Sequence, residues 1–131
     1  MAYLRPGFFV RKVFNRAAMA AGAFGTVTLE VPGRRGGGDQ RIPVIPVEVD
    51  GRRYVVSTRG ESEWVRNVRQ AGGLRLRGKR FAGSYAAREV PVDERGPIVA
   101  AYREEAGSTV TAYWKKLPDD ADHPTFELEP R

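Results

Sequence analysis

Apolar and polar positions recur with periods that change along the chain, and each change marks an element. Over 8–19, apolar Phe9, Val10, Val13, Phe14 and Ala17 fall at helical spacing with Arg11, Lys12, Asn15 and Arg16 mostly opposite, which predicts an amphipathic first helix. Gly22 and Gly25 break that period, and Thr26-Val27-Thr28-Leu29-Glu30-Val31 then alternates as a strand before Pro32-Gly33. A second strand is expected over 42–49, where Pro43 and Pro46 lack a ladder donor and so require an edge, a bulge or a position facing ligand. Asp50-Gly51 supplies the tight turn of a hairpin into a third strand, Arg52-Arg53-Tyr54-Val55-Val56-Ser57.

The period returns to helical over 61–70, where Ser62 can cap, Glu63 lies in the first turn, and Trp64, Val65 and Val68 share a side between Gly60 and Gly72. Leu74-Arg75-Leu76-Arg77 alternates with leucines inward, and a partner strand is expected over 81–90 beyond Gly78-Lys79-Arg80. A helix is expected over 93–106, with Ile98, Val99 and Tyr102 on one side, acids in its first turn and Gly107 at its end. A further helical turn over 108–114 and a short closing strand over 125–129 complete the chain. About six antiparallel strands with peripheral helices make an α+β fold dominated by strands, a small β-barrel or roll. No internal repeat appears, and 1–131 reads as a single domain, with 1–24 carrying the first helix and 25–131 the barrel and its helices.

Composition narrows the chemistry. The chain has no cysteine, which removes disulfides, thiolate metal sites, iron–sulfur clusters and cysteine nucleophiles, and its one histidine, His123, disfavours a histidine-built metal site or a Ser-His-Asp hydrolase. The net charge is +6, and between Arg34 and Arg80 there are 12 Lys/Arg against 5 Asp/Glu, so this region alone carries +7 and the remainder −1. Such a surface suits nucleic acid, anionic lipid or a multiply charged small molecule, and also serves solubility. Nucleic acid is the weakest of these, because neither an RNA-binding aromatic signature nor a DNA-reading helix is evident. No stretch approaches the ~20 uninterrupted apolar residues of a membrane span, and no secretory signal is recognisable, so the expected location is cytoplasmic. The 8–19 helix either covers the barrel or touches a membrane surface.

Three constellations carry chemistry. In Gly33-Arg34-Arg35-Gly36-Gly37-Gly38, followed by Arg41, glycines let backbone amides approach an anion, and arginines offer planar donor forks. The segment lacks the Lys-Ser/Thr ending of a nucleoside-triphosphate loop. Ser57-Thr58-Arg59-Gly60 leads from a strand end into the helix bearing Trp64 and Asn67, where exposed amides form a second polar grip. Trp64 reads as core or site, and Asn67 as a brace for the loop or a ligand contact. Tyr102, Tyr113 and Trp114 either pack together or line an apolar slot for a planar substrate.

The order Gly33-Arg34-Arg35-x-Gly37, Arg41-x-Pro43-Val44, Ser57, Gly60-x-x-x-Trp64-x-x-Asn67 and the closing Phe126-x-Leu128-Glu129-Pro130 resembles the deazaflavin-dependent nitroreductase family of actinobacteria. The resemblance implies a split β-barrel related to FMN-binding, pyridoxamine oxidase-like proteins, and coenzyme F420, an 8-hydroxy-5-deazaflavin, as hydride carrier. It places Arg34 and Arg35 near the phosphate and polyglutamate tail, Pro43 and Val44 beside the deazaflavin ring, and Ser57, Thr58, Arg59 and Gly60 at its edge or phosphate side. Trp64 and Asn67 match the signature that follows. This chain has Gly36 and Gln40 where the family often has Ser and a basic residue, with Arg41 adjacent as a substitute contact.

The reading that follows is an oxidoreductase moving hydride between reduced coenzyme F420 and an electron-poor or unsaturated acceptor: a quinone, an enone or a nitro compound. Tyr113, Tyr102 or solvent supplies the accompanying proton. Preference for FMN would keep the fold and change the function. A non-catalytic cofactor- or lipid-binding barrel is the alternative, and either a monomer or a homodimer is compatible with the sequence.

Overall fold

The computed structural model describes residues 26–131, so the helix expected over 8–19 lies outside the described residues. The described residues form seven strands: β1 Val27–Pro32, β2 Asp39–Val44, β3 Val47–Val49, β4 Arg52–Val56, β5 Gly73–Arg77, β6 Gly83–Glu89 and β7 Thr125–Pro130. Among the described residues three α-helices accompany them: α1 Glu63–Ala71, α2 Gly96–Ala106 and α3 Thr111–Lys116. All strand pairs are antiparallel, in one sheet of order β2-β1-β5-β6-β7-β4-β3.

That order holds a geometric demand. β2 and β3 lie on opposite edges of a seven-stranded sheet, yet only Ile45-Pro46 joins them. Three chain steps span at most roughly 11 Å, so the sheet must curl until its edges meet. The result is a split barrel whose seam is closed by the covalent chain and not by a ladder. The strand expected over 42–49 is therefore two strands. Side-chain alternation passes through the break unchanged: Ile42 and Val44 face the barrel interior, and Ile45 and Val47 the exterior. Only the hydrogen-bond partner changes, from β1 to β4. Pro43 sits on an edge strand and Pro46 in the link, two of the places where a missing donor is tolerated.

Two apolar clusters follow from this alternation. Inside the barrel, Val27, Leu29, Val31, Val55, Leu74, Leu76, Tyr85, Phe126 and Leu128 meet Trp64, Val65 and Val68 of α1, which plugs one end. Outside, Ile45, Val47, Tyr54 and Val56 are covered by Ile98, Val99, Tyr102 and Ala106 of α2, with Val110 and Trp114 beyond. β4 feeds both clusters, which explains its uninterrupted Tyr54-Val55-Val56 run.

The turns follow their residues. Asp50 and Gly51 adopt φ of 52° and 77°, both left-handed, as the two-residue hairpin between β3 and β4 requires. Ser62 occupies the N-cap position of α1, but its hydroxyl makes no capping bond, and Gly72 closes the helix with φ 73°. The helix expected over 93–106 starts later: Val92–Glu94 form a 3-10 turn, and Pro97 opens α2 in the first turn, where its missing N–H has no intrahelical partner to lose. Asp93 and Glu94 therefore precede α2 and do not occupy its first turn. Among the described residues no helix is long and apolar enough to cross a membrane.

The inward leucines and outward arginines of β5 give a sharp test. Leu76→Ala, at a site 1% exposed, should cost about 2–5 kcal/mol in urea unfolding, while the exposed neighbour Arg75→Ala should stay within about 0.5 kcal/mol. Equal costs would contradict this register.

Candidate functional site

Strand registers place the candidate loops together. β1 runs toward Pro32 and the 33–38 turn, and β4 ends at Val56, paired with Thr125, before the 57–62 loop. Both segments reach α1: Arg34 bonds its residues, and the 57–62 loop leads into it. Val44 and Pro43 lie at the other end of β2, where Val44 pairs with Val27, about 13 Å along the strand from Gln40 at ~3.3 Å per residue.

The 33–38 turn is closed by Gly33 N donating to Gly38 O at 3.1 Å. Gly36, Gly37 and Gly38 have φ of 78°, 86° and 95°, and a Cβ on any of them would meet nothing within 4 Å. Backbone conformation alone therefore requires glycine here, and that side of the turn is open. Arg34 is held from two directions. Its backbone N and its Nη1 donate to Asn67 Oδ1 at 3.2 and 2.9 Å, and Nη1 lies 2.6 Å from Glu63 Oε2. Asn67 Nδ2 in turn donates to Gln40 Oε1 at 2.7 Å. Asn67 is thus a buried brace between turn, strand and helix, and Trp64, three residues before it, packs in the barrel core with its ring centroid 6.0 Å from Phe126.

Alternation separates the remaining basic residues. Gln40 shares the inward side of β2, whereas Arg41 and Pro43 face out. Arg41 Nε donates to Glu30 Oε2 at 2.6 Å and Arg77 Nε to Glu30 Oε1 at 2.8 Å, so one buried carboxylate engages both arginines. These bonds, Arg41 first, hold the Glu30 carboxyl below its usual range. Arg35 is exposed and makes no hydrogen bond or ion pair among the described residues.

The 57–62 loop is shaped from within. Ser57 Oγ donates to Gly60 O at 2.7 Å, Gly60 takes φ 77°, and Ser57 N donates to Pro124 O at 2.8 Å. His123, fully buried, sets its Nδ1 2.8 Å from Ser57 O and its Nε2 2.7 Å from Leu117 O, and stacks on Trp114 with centroids 3.9 Å apart. Glu61, 8% exposed, starts a network of charges: Arg69 bonds both its oxygens and also Glu89, which the buried Arg95 joins at 3.2 Å. Thr58 is half-buried. Arg59 differs from every other arginine described, because its Nη1 is buried without an acceptor.

On the helical side, Tyr102 and Trp114 rings lie 5.9 Å apart, and Arg103 stacks over Trp114 at 5.3 Å. Burial is the main reason the Tyr102 hydroxyl is pushed well above its usual pKa; Tyr113 adds to this, and Arg59 acts against it. Arg59 is therefore close enough to bear on this aromatic group. The sequence reading missed the roles of His123 and of the Glu61–Arg69–Glu89–Arg95 network. His123-Pro124 gave a faint signal as the chain's one histidine, whereas the spacing of the four charged residues gave none.

Two variants test the braces. Asn67→Ala removes the partner of Arg34 and Gln40 and should lower stability by about 1–3 kcal/mol in urea, with local loss of hydrogen-exchange protection in 33–40. Arg69 bonds keep the Glu61 carboxyl below its ordinary value, so the stability this pair contributes is complete above about pH 4.5 and is lost as pH falls through the lowered value. Glu61→Gln should flatten this acid limb of a Tm-against-pH curve; an unchanged limb would assign it to other carboxylates.

The likenesses to known proteins concern the family and the fold. A family profile described as F420H(2)-dependent quinone reductase matches residues 11–118. Among solved structures, an F420-H2 dependent reductase (FDR-A) is 24% identical, covering 79% of this chain and 93% of its own at a TM-score of 0.57. A domain-swapped dimer is 21% identical, with 79% of each chain covered and a TM-score of 0.59. A pyridoxinephosphate oxidase family protein from Clostridium acetobutylicum is 11% identical, covering 80% of this chain and 74% of its own at 0.55. At these identities the structures speak for the fold alone, the split barrel expected from the sequence. No curated protein matches the chain. Most of the chain falls within the family profile, so this protein belongs to the F420H(2)-dependent quinone reductase family, enzymes whose coenzyme is F420.

Proposed function

We propose that this enzyme reduces quinones with F420H2 bound between the 33–38 turn and the 57–60 loop. The observation that carries the reading is Arg59 Nη1, a buried cationic donor with no acceptor among the described residues, in a loop that shares a barrel end with an open glycine turn. Leaving such a donor unmet costs on the order of 1–3 kcal/mol, and an anionic or carbonyl oxygen of a ligand would relieve it. The residues suit a long anionic coenzyme. Arg35, Arg59 and the amides of 36–38 would take its phosphate and carboxylates. Arg34, already positioned by Asn67, would add a further contact, and Pro43 and Val44, farther along β2, would flank the ring. Ser57, Gly60, Trp64 and Asn67 would contribute by holding the loops in shape.

The bound coenzyme supplies hydride, that is, two electrons and one proton, and one more proton completes a quinol. Tyr102, whose pKa burial raises, keeps its proton and serves as a hydrogen-bond donor beside the acceptor. Half-buried Tyr113, nearer solvent, delivers the second proton. Trp114 and the aromatic rings near it exclude water. None of these roles needs a cysteine or a metal-binding histidine.

Anaerobic assays following F420H2 oxidation should give turnover with benzoquinones and naphthoquinones exceeding that with enones or nitroaromatics; the reverse order would replace the acceptor. In Trp-fluorescence titrations F420 should bind at least about tenfold more tightly than FMN, a difference of about 1.4 kcal/mol; an FMN preference would overturn the coenzyme placement. Arg59→Ala should weaken F420 binding by about 10- to 100-fold with the fold intact. Tyr113→Phe should lower kcat by about 100-fold with F420 affinity unchanged; full activity would move proton delivery to Tyr102 or solvent.

A further inference from the structure

Resting on the coenzyme placement just given, we infer that Glu63 is an internal competitor for the coenzyme's anionic tail: its carboxylate occupies Arg34 when the tail is absent and sets how tightly tailed deazaflavins bind. Glu63 Oε2 lies 2.6 Å from Arg34 Nη1, and the pair joins the 33–38 turn to the first residue of α1. The Glu63 side chain is 52% exposed, so its carboxylate can swing into solvent without opening the core. Arg34, at 18%, is the fixed partner.

Exchange is possible because Arg34 has a second anchor. Its backbone N and Nη1 both donate to Asn67 Oδ1, a buried side chain, so losing Glu63 leaves the guanidinium where it stands. The groups around Glu63 have the composition of an anion site. The Arg34 hydrogen bond holds its carboxyl below the usual range, and the charges of Arg34, Arg35 and Arg66 act in the same direction. Glu63 also lies in the first turn of α1, where the helix dipole favours a negative group. Three arginines and a helix start thus face one carboxylate. A glutamate carboxylate in the tail has the same chemistry as Glu63, so it can replace that carboxylate on Arg34 group for group. An exposed ion pair is weak and screened, as a displaceable placeholder must be.

Wild-type protein and Glu63→Gln are titrated by Trp fluorescence with F420 and with its tail-less ribityl deazaflavin precursor, at low and at high salt. We expect Glu63→Gln to bind F420 about 3- to 10-fold more tightly at low salt, with the gain shrinking as salt rises, and to bind the tail-less compound equally well. Glu63→Ala should reproduce the gain, and circular dichroism checks that both variants keep the fold. F420 bound equally or more weakly by both folded variants overturns the proposal while leaving the coenzyme placement standing, as does an equal gain for the tail-less compound. If neither wild type nor variants bind any deazaflavin, the coenzyme placement fails and the competitor role with it. If one variant unfolds, the other decides.

Discussion

The two-residue link between β2 and β3 is the constraint on which the rest depends. Those strands pair with β1 and β4, which stand at distant places in the sheet order, yet Ile45-Pro46 holds their ends within a few ångströms. The sheet must curl, and curling creates an interior for α1 to plug and an exterior for α2 to cover. The same curl brings the turn after β1 and the loop after β4 to α1, although all of β2, β3 and β4 lies between them in sequence. The end that gathers the candidate loops is thus a consequence of how the seam is tied.

Polar side chains at that end divide into those used up by the fold and those left over. Asn67 satisfies Arg34 and Gln40, Ser57 bonds Gly60, His123 touches Ser57 and Leu117, and Glu61 engages Arg69. Such buried groups are costly unless paired, so each pairing fixes a loop in one shape. Among the described residues Arg35 makes no hydrogen bond or ion pair, and Arg59 Nη1 is buried without an acceptor. A rigid frame with a few unmet donors is what a preorganised anion site requires, because the ordering cost is met during folding and not on binding.

Much of the fold was legible because local rules decided it. Leu74 to Arg77 alternates with leucines inward as its pattern says, Asp50-Gly51 makes the left-handed hairpin turn, and Gly72 ends α1. The division of 42–49 was not legible: the alternation of Ile42, Val44, Ile45 and Val47 continues unbroken, and only a long-range change of partner splits the strand. For the candidate site, the spacing from the glycine turn to Trp64 and Asn67 singled out segments that the fold brings together at α1, but not how their side chains pair. Asn67 and Arg34 bond each other across 33 residues, and Arg41 is drawn to Glu30 by strand register. Partnerships of that kind arise only after folding.

The two barrel ends treat arginine in opposite ways. At the end holding the seam, Phe81 has φ 60°, uncommon for a bulky side chain, and Arg53 and Arg80 stack on its ring at 4.7 and 4.8 Å. Arg53 also donates to the Tyr85 hydroxyl at 2.8 Å, and Arg80 donates to Pro46 O at 3.3 Å, reaching the link itself. Guanidinium groups there take part in closing the barrel beside the link that the chain must keep short. At the other end, Arg34 and Arg35 stand beside open glycines and the half-exposed Glu63 carboxylate. The basic run from Arg34 to Arg80 is therefore not one surface of uniform purpose. Topology directs part of it to holding the seam and part to the end where the 33–38 turn and the 57–62 loop meet α1.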